Sequence, residues 1–291
     1  NKKIQKSLID TLIVSSVTPR DLYSLLIFGR YRKIYFLHTV PRKPLWKHRF
    51  FDKILILARN YSFITVSNYA KKTIIDYLNI KKNKIFVLPN YVEIVPTNSK
   101  LSTEEIEFYK NKKLILTIGS LENYKNPKTW IETAKIVVNK TDCIFVWIGA
   151  GSRLKSLKNE IIKKGLHKRV FLLGQKNNVL DYLKYTDVYF QPSVKESQGI
   201  AIIEAMKCGV VCVASNVEGI SETITNNING ITCDVNDSKQ YSLAIVKLLN
   251  DDFFKNRLAS SAKRDTDLKF SKFIYLLKLN NILKNNIKTN N

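Results

Sequence analysis

The chain has 291 residues and a formal net charge of +24, and 45% of its residues are hydrophobic and 25% charged, which is ordinary for a folded globular protein. No apolar run approaches the roughly 18–20 residues that a membrane-spanning helix needs, and ten Gly and seven Pro are too few for long flexible linkers. This length accommodates two α/β domains, each with its own core.

The first 95 residues predict strands that alternate with helices. His38 stands at the end of the first predicted strand. Ser67 is a favourable N-cap, because a serine hydroxyl accepts a hydrogen bond from a free N–H of the first helical turn. The predicted strands are 34–37, 63–66 and 85–88, and the predicted helices are about 47–59 and 68–78.

Polar residues 97–102 predict a linker, after which apolar strands alternate regularly with helical segments. Strands that are hydrophobic on both faces and separated by helices predict a parallel, doubly wound α/β sheet. An amphipathic segment at 273–283 predicts a final helix, followed by the polar tail 285–291. The predicted strands of this part are 114–118, 143–148, 170–173, 188–190, 210–214 and 231–233.

Segment 196–204 holds two carboxylates, Glu196 and Glu204, on either side of Gly199. The apolar residues 200–206 predict a helix. Glu196 then follows the carboxyl end of a parallel strand, and Glu204 lies in the first turns of the next helix. Open α/β sheets bind ligands at this edge, and a helix N-terminus favours phosphate. Two acids at this spacing also occur on solvated helix faces; the flanking strand and glycines favour a binding site.

This pattern resembles the E-x7-E signature of retaining glycosyltransferases of the GT-B fold, family 4, also called glycosyl transferases group 1. The resemblance implies two Rossmann-like domains with parallel doubly wound sheets, and a nucleoside-diphosphate sugar as donor. It implies that Glu196 faces the donor sugar and that Glu204 binds the ribose hydroxyls. The backbone N–H groups of Gly199 and Ile200 would contact the diphosphate.

The same resemblance assigns roles to residues that follow other strands. Lys125 would grip the donor diphosphate, because positive charge stabilises the negative charge that builds up on the leaving group. Ser120 stands where the family usually has an arginine, and it would donate a hydrogen bond to the diphosphate instead. His38 matches a position near the sugar that assists binding or transition-state stabilisation. Glycine turns, which by themselves often only reverse the chain, would approach the nucleotide at Gly119, Gly149, Gly174 and Gln175.

Two further positions follow from the resemblance. Gly219 matches a glycine near the phosphates or the sugar, and Glu222 matches a helix-capping acid with a structural role. The catalytic residues would be Glu196, Lys125 and His38, with no protein nucleophile. We expect no cofactor and no metal.

The resemblance also divides the chain into domains. It implies a partial N-terminal acceptor-side domain at 1–95, a C-terminal nucleotide-sugar-binding domain at 96–270, and a C-terminal helix with a polar tail at 271–291. The first domain lacks the strand and glycine-rich loop with which the family begins, and the only methionine is Met206. We therefore expect residues to precede Asn1. In the family the last helix crosses back to brace the N-terminal domain.

The implied activity is transfer of a sugar, with retention, to a saccharide or lipid-linked saccharide in bacterial surface-polysaccharide assembly. We expect a cytoplasmic protein, peripheral at the inner face of the cytoplasmic membrane. Residues 1–100 carry a net charge of +14, and segment 42–51 mixes basic residues with three aromatic ones. Such a segment predicts binding to an anionic membrane surface, although a general enrichment in Lys, Asn and Ile is the alternative origin of the charge.

The cysteines and the rival functions complete the sequence predictions. The four cysteines contain no C-x-x-C pair, so we expect reduced thiols rather than disulfides or a zinc site. One alternative function is an inactive relative that only binds nucleotide, since the glycine-rich loop and the usual arginine are absent. A basic nucleic-acid-binding protein ranks lower, because the sequence shows no zinc-finger, RNP-like or helix-turn-helix motif, and we expect no nucleic-acid partner.

Overall fold

The computed structural model describes residues 11–15, 32–39, 61–78, 80–95 and 100–288. The chain folds into two compact units, Asn1–Asn90 with Tyr275–Asn291 as the first and Tyr91–Ile274 as the second. The domain limits predicted from the sequence stay predictions beside this division. The predicted helix at 47–59 and the basic segment 42–51 lie outside the described residues.

The first unit contains a four-stranded sheet. Its strands are β1 (Thr11–Ser15), β2 (Arg32–Leu37), β3 (Tyr61–Thr65) and β4 (Ile85–Val87). All neighbours are parallel, in the spatial order β1-β2-β3-β4. The three strands predicted for this part are confirmed, whereas β1 was missed.

Helix α1, Asn68–Leu78, follows β3 with the limits that the sequence predicts. Ser67 is its N-cap, since the Ala70 N–H donates a hydrogen bond to the Ser67 hydroxyl over 3.1 Å. Ile74 of this helix packs on one face of the sheet, in a cluster with the buried side chains of Tyr35, Phe63, Ile80 and Ile85. The helix therefore covers one face of the first sheet.

The other face of this sheet packs against the last helix of the chain, Lys272–Lys288. Alternate residues of a strand point to opposite faces, so Ile34 and Ile64 lie on the face opposite Tyr35 and Phe63. Ile282 of the last helix is buried against Ile34, Ile64 and Leu88 on that face. The last helix thus braces the first sheet, as the resemblance implied. It continues to Lys288, into the segment predicted as a tail, because asparagine and lysine are polar without being strong helix breakers.

The second unit contains a six-stranded sheet. Its strands are β5 (Lys113–Ile118), β6 (Cys143–Ile148), β7 (Val170–Gly174), β8 (Val188–Gln191), β9 (Val211–Ser215) and β10 (Ile231–Cys233). They are all parallel, in the order β10-β9-β8-β5-β6-β7. The six strands predicted from the sequence are confirmed, and so is the α/β fold class with two parallel sheets.

Helices precede, connect and follow these strands. They are α2 (Thr103–Lys110), α3 (Pro127–Val138), α4 (Leu154–Lys163), α5 (Val179–Leu183), α6 (Ile200–Lys207), α7 (Glu218–Ser221), α8 (Ser238–Asn250) and α9 (Asp252–Lys269), and the last helix is α10. Ser102, the last residue of the predicted linker, is the N-cap of helix α2, which sequence analysis did not single out. Ser102 and Glu105 exchange hydrogen bonds of 3.1 and 2.9 Å in a capping box, which begins the helix.

Both faces of the second sheet are buried. Along β5, Ile115 belongs to the core cluster on one face and Leu114 and Leu116 to the cluster on the other. All four cysteines are free thiols, and burial raises the pKa of Cys233 to about 12. Among the helices in the described ranges, none is long and apolar enough to cross a membrane.

The side on which the chain adds strands to the second sheet changes once, between β7 and β8. From β5 the chain adds β6 and β7 on one side, and then returns to place β8 on the other side of β5. The Thr117 hydroxyl donates to the Phe190 carbonyl over 2.5 Å and joins the two central strands near their ends. At such a point the helices that follow β5 and β8 lie on opposite faces of the sheet, and open α/β sheets bind ligands in the crevice between the two connections.

Candidate active site

The loops after β5 and β8 meet through an ion pair at this crevice. The ammonium group of Lys125, at the end of a single 3-10 turn after β5, lies 2.5 Å from Oε2 of Glu196, in the loop after β8. The two side chains are only 13% and 16% exposed. The structure thus brings together two residues that sequence analysis placed in the site, although 71 positions separate them along the chain.

Gln191 holds the same carboxylate oxygen from the strand. Its side-chain amide donates to Oε2 of Glu196 over 3.0 Å, and its amide oxygen accepts from the Tyr189 hydroxyl over 2.7 Å. The Tyr189 hydroxyl also lies 3.1 Å from the Ile118 carbonyl and 3.4 Å from the Ile118 N–H. Burial raises the pKa of Tyr189 well above its ordinary value, so the hydroxyl stays protonated.

Three hydrogen bonds pin the backbone of the loop that carries Glu196. The Val194 N–H donates to the Tyr124 carbonyl over 2.8 Å, which joins this loop to the one that carries Lys125. The Ser215 hydroxyl donates to the Ser193 carbonyl over 2.5 Å, and the Thr223 hydroxyl donates to the Gln198 carbonyl over 3.2 Å. Glu196 therefore sits on a loop fixed at its beginning and its end.

Two glycines shape this loop. Gly219 packs against it from helix α7, and a Cβ atom there would lie 2.1 Å from the carbonyl oxygen of Glu196. Gly199 is the N-cap of α6 with φ of +81°, a left-handed conformation that favours glycine. The first N–H groups of a helix lack intrahelical partners, which applies to those of Ile200 and Ala201 at the start of α6. Glu222 is exposed at the C-terminal end of α7.

Three further glycines line the ends of β5, β6 and β7. The Gly119 N–H donates to the Ile148 carbonyl over 3.0 Å, and the Gly149 N–H donates to the Gly174 carbonyl over 2.7 Å. A Cβ at Gly149 would lie 2.0 Å from the carbonyl oxygen of Gly119, so only glycine permits this approach. The predicted positions Gly119, Gly149 and Gly174 thus lie side by side at the ends of their strands. Gln175, the residue after Gly174, is exposed.

Lys125 lies against Gly119, and the loop that carries Lys125 is hydrogen-bonded to the loop after β6. A Cβ at Gly119 would lie 3.3 Å from Cε of Lys125. Ser120, which replaces the usual arginine, shares a hydrogen bond of 2.7 Å with the Tyr124 hydroxyl. The carboxylate of Glu122 accepts from the N–H and the hydroxyl of Ser152 over 2.8 and 2.7 Å. The loop after β5 therefore presents one cation to the crevice, at Lys125.

Glu204 differs from Glu196 in its surroundings. It lies in α6 and is partly buried, and its carboxylate has no hydrogen-bond or ion-pair partner among the residues that the structure describes. Burial raises the pKa of Glu204 above its ordinary value. A ligand that donates hydrogen bonds, such as a ribose with two hydroxyl groups, would offset the cost of keeping this carboxylate charged.

His38 belongs to the first unit. It follows β2, is exposed, and has Nε2 at 3.2 Å from the Ser15 hydroxyl. Its position at a strand end is as expected, and its role near a donor sugar stays a prediction. In the ranges described above, no three His, Cys, Asp or Glu side chains are grouped so that they would hold a metal ion, and metal-independent chemistry also stays a prediction.

Sequence analysis did not single out the residues that support the site, which are Tyr124, Tyr189, Gln191, Ser215 and Thr223. One signal was available: Tyr189 and Gln191 are two positions apart in a strand, so their side chains share a face at the end nearest Glu196. The hydroxyl groups of Ser215 and Thr223 gave no such signal, since each acts on a carbonyl more than 20 positions away in the chain.

Comparison with known proteins gives a consistent result. Residues 98–265 match the family described as glycosyl transferases group 1. An Escherichia coli protein named UDP-Gal:alpha-D-GlcNAc-diphosphoundecaprenol alpha-1,3-galactosyltransferase is 31% identical over 197 residues, 65% of this chain and 51% of that protein. A Campylobacter jejuni protein named N,N'-diacetylbacillosaminyl-diphospho-undecaprenol alpha-1,3-N-acetylgalactosaminyltransferase is 28% identical over 218 residues, 72% of this chain and 56% of that protein. The chain spans about half the length of these relatives.

Solved structures share the fold. HepE from Anabaena in complex with UDP superposes with a TM-score of 0.79 at 18% identity, over 94% of this chain and 78% of HepE. Sucrose-phosphate synthase from Thermosynechococcus elongatus has a TM-score of 0.79 at 15% identity, over 96% of this chain and 74% of that one. These likenesses confirm the predicted GT-B type of α/β fold. Because the match to the family covers more than half of the residues of this chain, the chain belongs to the glycosyl transferases group 1 family.

Proposed function

We propose that the protein is a retaining glycosyltransferase of family 4 that transfers a hexose or N-acetylhexosamine from a uridine-diphosphate sugar to a polyprenyl-diphosphate-linked saccharide. The observation that carries the proposal is the largely buried pair of Lys125 and Glu196 at the reversal point of the second sheet. A cation, a carboxylate and a helix N-terminus meet there, and these groups suit a diphosphate with an attached sugar.

Each site residue has a role in this reaction. Lys125 and the N–H groups at the start of α6 hold the diphosphate, and Glu204 accepts hydrogen bonds from the ribose. Glu196 accepts a hydrogen bond from the donor sugar. The bond between the anomeric carbon and the diphosphate oxygen breaks, and the acceptor oxygen bonds to the same face of that carbon. The acceptor proton passes to the departing phosphate, whose developing negative charge Lys125 stabilises.

The printed names of relatives support the choice of substrates. The Escherichia coli relative is named for a UDP-galactose donor and an undecaprenol-diphosphate acceptor, and the Campylobacter jejuni relative for a similar lipid-linked acceptor. Structures of HepE have been solved with UDP and with UDP-glucose. From these names we propose a uridine nucleotide, a lipid-linked acceptor, and a place in the assembly of a surface polysaccharide.

A transfer assay tests the proposal. The purified protein is incubated with each of four donors, UDP-galactose, UDP-glucose, UDP-N-acetylgalactosamine and UDP-N-acetylglucosamine, and with a short polyprenyl-diphosphate-linked N-acetylglucosamine. Mass spectrometry detects a lengthened saccharide, and NMR assigns its new linkage. We expect one donor to give an α-linkage, the configuration it had in the donor. A β-linked product would contradict retention.

One observation favours a second candidate, an inactive relative that binds nucleotide without transferring sugar. Ser120 occupies the position of the usual arginine and bonds to Tyr124, so Lys125 faces the diphosphate without a second cation from this loop. Tight binding of UDP in calorimetry, together with no transfer from any of the four donors, would favour this candidate over the enzyme.

We further propose that the protein attaches peripherally to an anionic membrane at its cytoplasmic side, through the basic and aromatic segment 42–51. Each basic residue near an anionic surface contributes about 1 kcal/mol, so a handful gives measurable, reversible binding. The test is co-sedimentation with vesicles that contain or lack phosphatidylglycerol. Substitution of Arg42, Lys43, Lys47 and Arg49 by Ser should release the protein, as should high salt. Binding that ignores lipid charge and these changes would contradict the proposal.

A further inference from the structure

Oε2 of Glu196 has two protein donors that differ in kind. Lys125 is charged and lies 2.5 Å away, whereas the side-chain amide of Gln191 is neutral and lies 3.0 Å away. The other carboxylate oxygen, Oε1, accepts no hydrogen bond from any residue in the described part of the chain. One oxygen of Glu196 is therefore held by the protein, and the other is left for a ligand.

Two negatively charged groups, Glu196 and an incoming diphosphate, compete for the positive charge of Lys125. Without a ligand it neutralises Glu196, and the proposed function also requires it to bind an incoming diphosphate. Because Ser120 supplies no second charge, the phosphate must draw Lys125 at least partly away from the carboxylate. Glu196 is 16% exposed, so water does not fully replace a lost partner. A carboxylate left in such a place without a donor would oppose nucleotide binding.

The structure supplies a donor that stays in place. Gln191 is 1% exposed at the end of β8, and its amide oxygen accepts a 2.7 Å hydrogen bond from Tyr189, which is fully buried. The amide NH2 group must face Glu196, because the opposite orientation would bring the amide oxygen against a carboxylate oxygen. The amide oxygen then faces the Tyr189 hydroxyl and accepts a hydrogen bond from it. Tyr189 thus orients Gln191, and the sheet fixes both.

We propose that Gln191 is a positioning residue that keeps Glu196 hydrogen-bonded when a nucleoside diphosphate takes Lys125 from it. The ion pair between Lys125 and Glu196 is then a resting arrangement that the ligand opens, and Gln191 lowers the cost of opening it. This inference rests on the proposed function, because it requires the diphosphate to bind at Lys125.

A double-mutant cycle tests it, with UDP binding measured by calorimetry so that the donor sugar need not be known. The four proteins are the parent, Gln191→Met, Glu196→Gln and the double variant. Methionine matches glutamine in length but donates no hydrogen bond. Gln191→Met should weaken UDP binding about tenfold, the effect of losing one hydrogen bond to a charged group. Glu196→Gln should tighten UDP binding, because Lys125 is no longer held by a carboxylate.

The double variant separates positioning from general damage. Where residue 196 is neutral, Gln191→Met should change UDP affinity by less than about twofold, because no charge needs a donor. Equal weakening in both backgrounds would show a merely structural role and overturn the inference, and so would an unchanged affinity in Gln191→Met alone. A parent protein that binds none of UDP, GDP and ADP would instead overturn the proposed function, and this inference with it.

Discussion

The two glutamates of the site lie eight positions apart but in contrasting regions. Glu196 is on a loop whose backbone is fixed by three hydrogen bonds, and its carboxylate is held by Lys125 and Gln191. Glu204 is on helix α6, and its carboxylate has no partner within the described ranges. The contacts of the loop fix the side chain of Glu196, whereas the side chain of Glu204 on the helix is left available for a ligand.

This contrast has a physical consequence. The cost of keeping Glu196 charged is offset within the protein, so the unliganded site is already organised around it. The cost of keeping Glu204 charged is not offset, and burial raises its pKa. The burial of the charged Glu204 carboxylate therefore lowers the stability of the unliganded protein. A ligand that donates hydrogen bonds to this carboxylate would restore that stability. The predictions below test each side of this contrast, in order of decreasing expected effect.

Loss of Lys125 should have the largest effect. Lys125→Ala removes the cation that stabilises negative charge on the leaving diphosphate, and turnover should fall about 10²–10³-fold, as for other preorganised electrostatic groups. Lys128→Ala is the matched control, since Lys128 is exposed in the first turn of α3 nearby. Steady-state rates of the transfer assay measure both. Equal rates for Lys125→Ala and the control would remove Lys125 from the site.

Loss of the charge on Glu204 should weaken nucleotide binding. Glu204→Gln replaces a charged acceptor of the ribose hydroxyls, and a hydrogen bond to a charged group contributes about 1.5–3 kcal/mol, or roughly 10–150-fold in affinity. Calorimetry with UDP measures the loss. Glu107→Gln, at an exposed position of helix α2, is the control and should bind UDP like the parent. An unaffected Glu204→Gln would mean that the open carboxylate does not face the nucleotide.

The smallest effect is on the stability of the unliganded protein. The pKa of Glu204 is raised in the folded state, so its stabilising contribution is complete below the unfolded value near 4.3 and is lost as pH rises through the folded pKa. Glu204→Gln should therefore unfold at a slightly higher temperature than the parent at pH 7.5, and the difference should vanish near pH 4. Calorimetric melts at both pH values measure this difference, and a gap that persists at pH 4 would rule out burial of charge as its cause.

Much of the fold follows from local sequence patterns. Apolar strands separated by helices predict both parallel sheets, and Ser67 predicts the start of α1. Two misses are also local. The capping box of Ser102 and Glu105 was present in the sequence but was overlooked beside a polar segment, and the short apolar run at 12–14 in β1 was not singled out. These features depend on residues close together in the chain, where sequence patterns are informative.

The site was predictable only in part, because its contacts are long-range. The Glu196–Glu204 spacing and the glycines at strand ends predicted the place where we propose that a ligand binds. The pairing of Lys125 with Glu196 depends on β8 returning beside β5, and the approach of Gly219 to the Glu196 carbonyl depends on the path of two loops. Gln191 was missed because its spacing from Tyr189 places both side chains on one face of β8 but does not show that Gln191 reaches Glu196, which depends on the path of the loop after the strand.

The most direct test of the account is a crystal structure of the protein with UDP bound. We expect a phosphate oxygen within about 3 Å of the Lys125 ammonium group and the ribose hydroxyls at a similar distance from the Glu204 carboxylate. The distance between Lys125 and Glu196 should exceed its unliganded value of 2.5 Å, while Gln191 still donates to Glu196. UDP bound elsewhere, or bound here with Glu204 still unpartnered, would contradict the claim that this crevice is the nucleotide site.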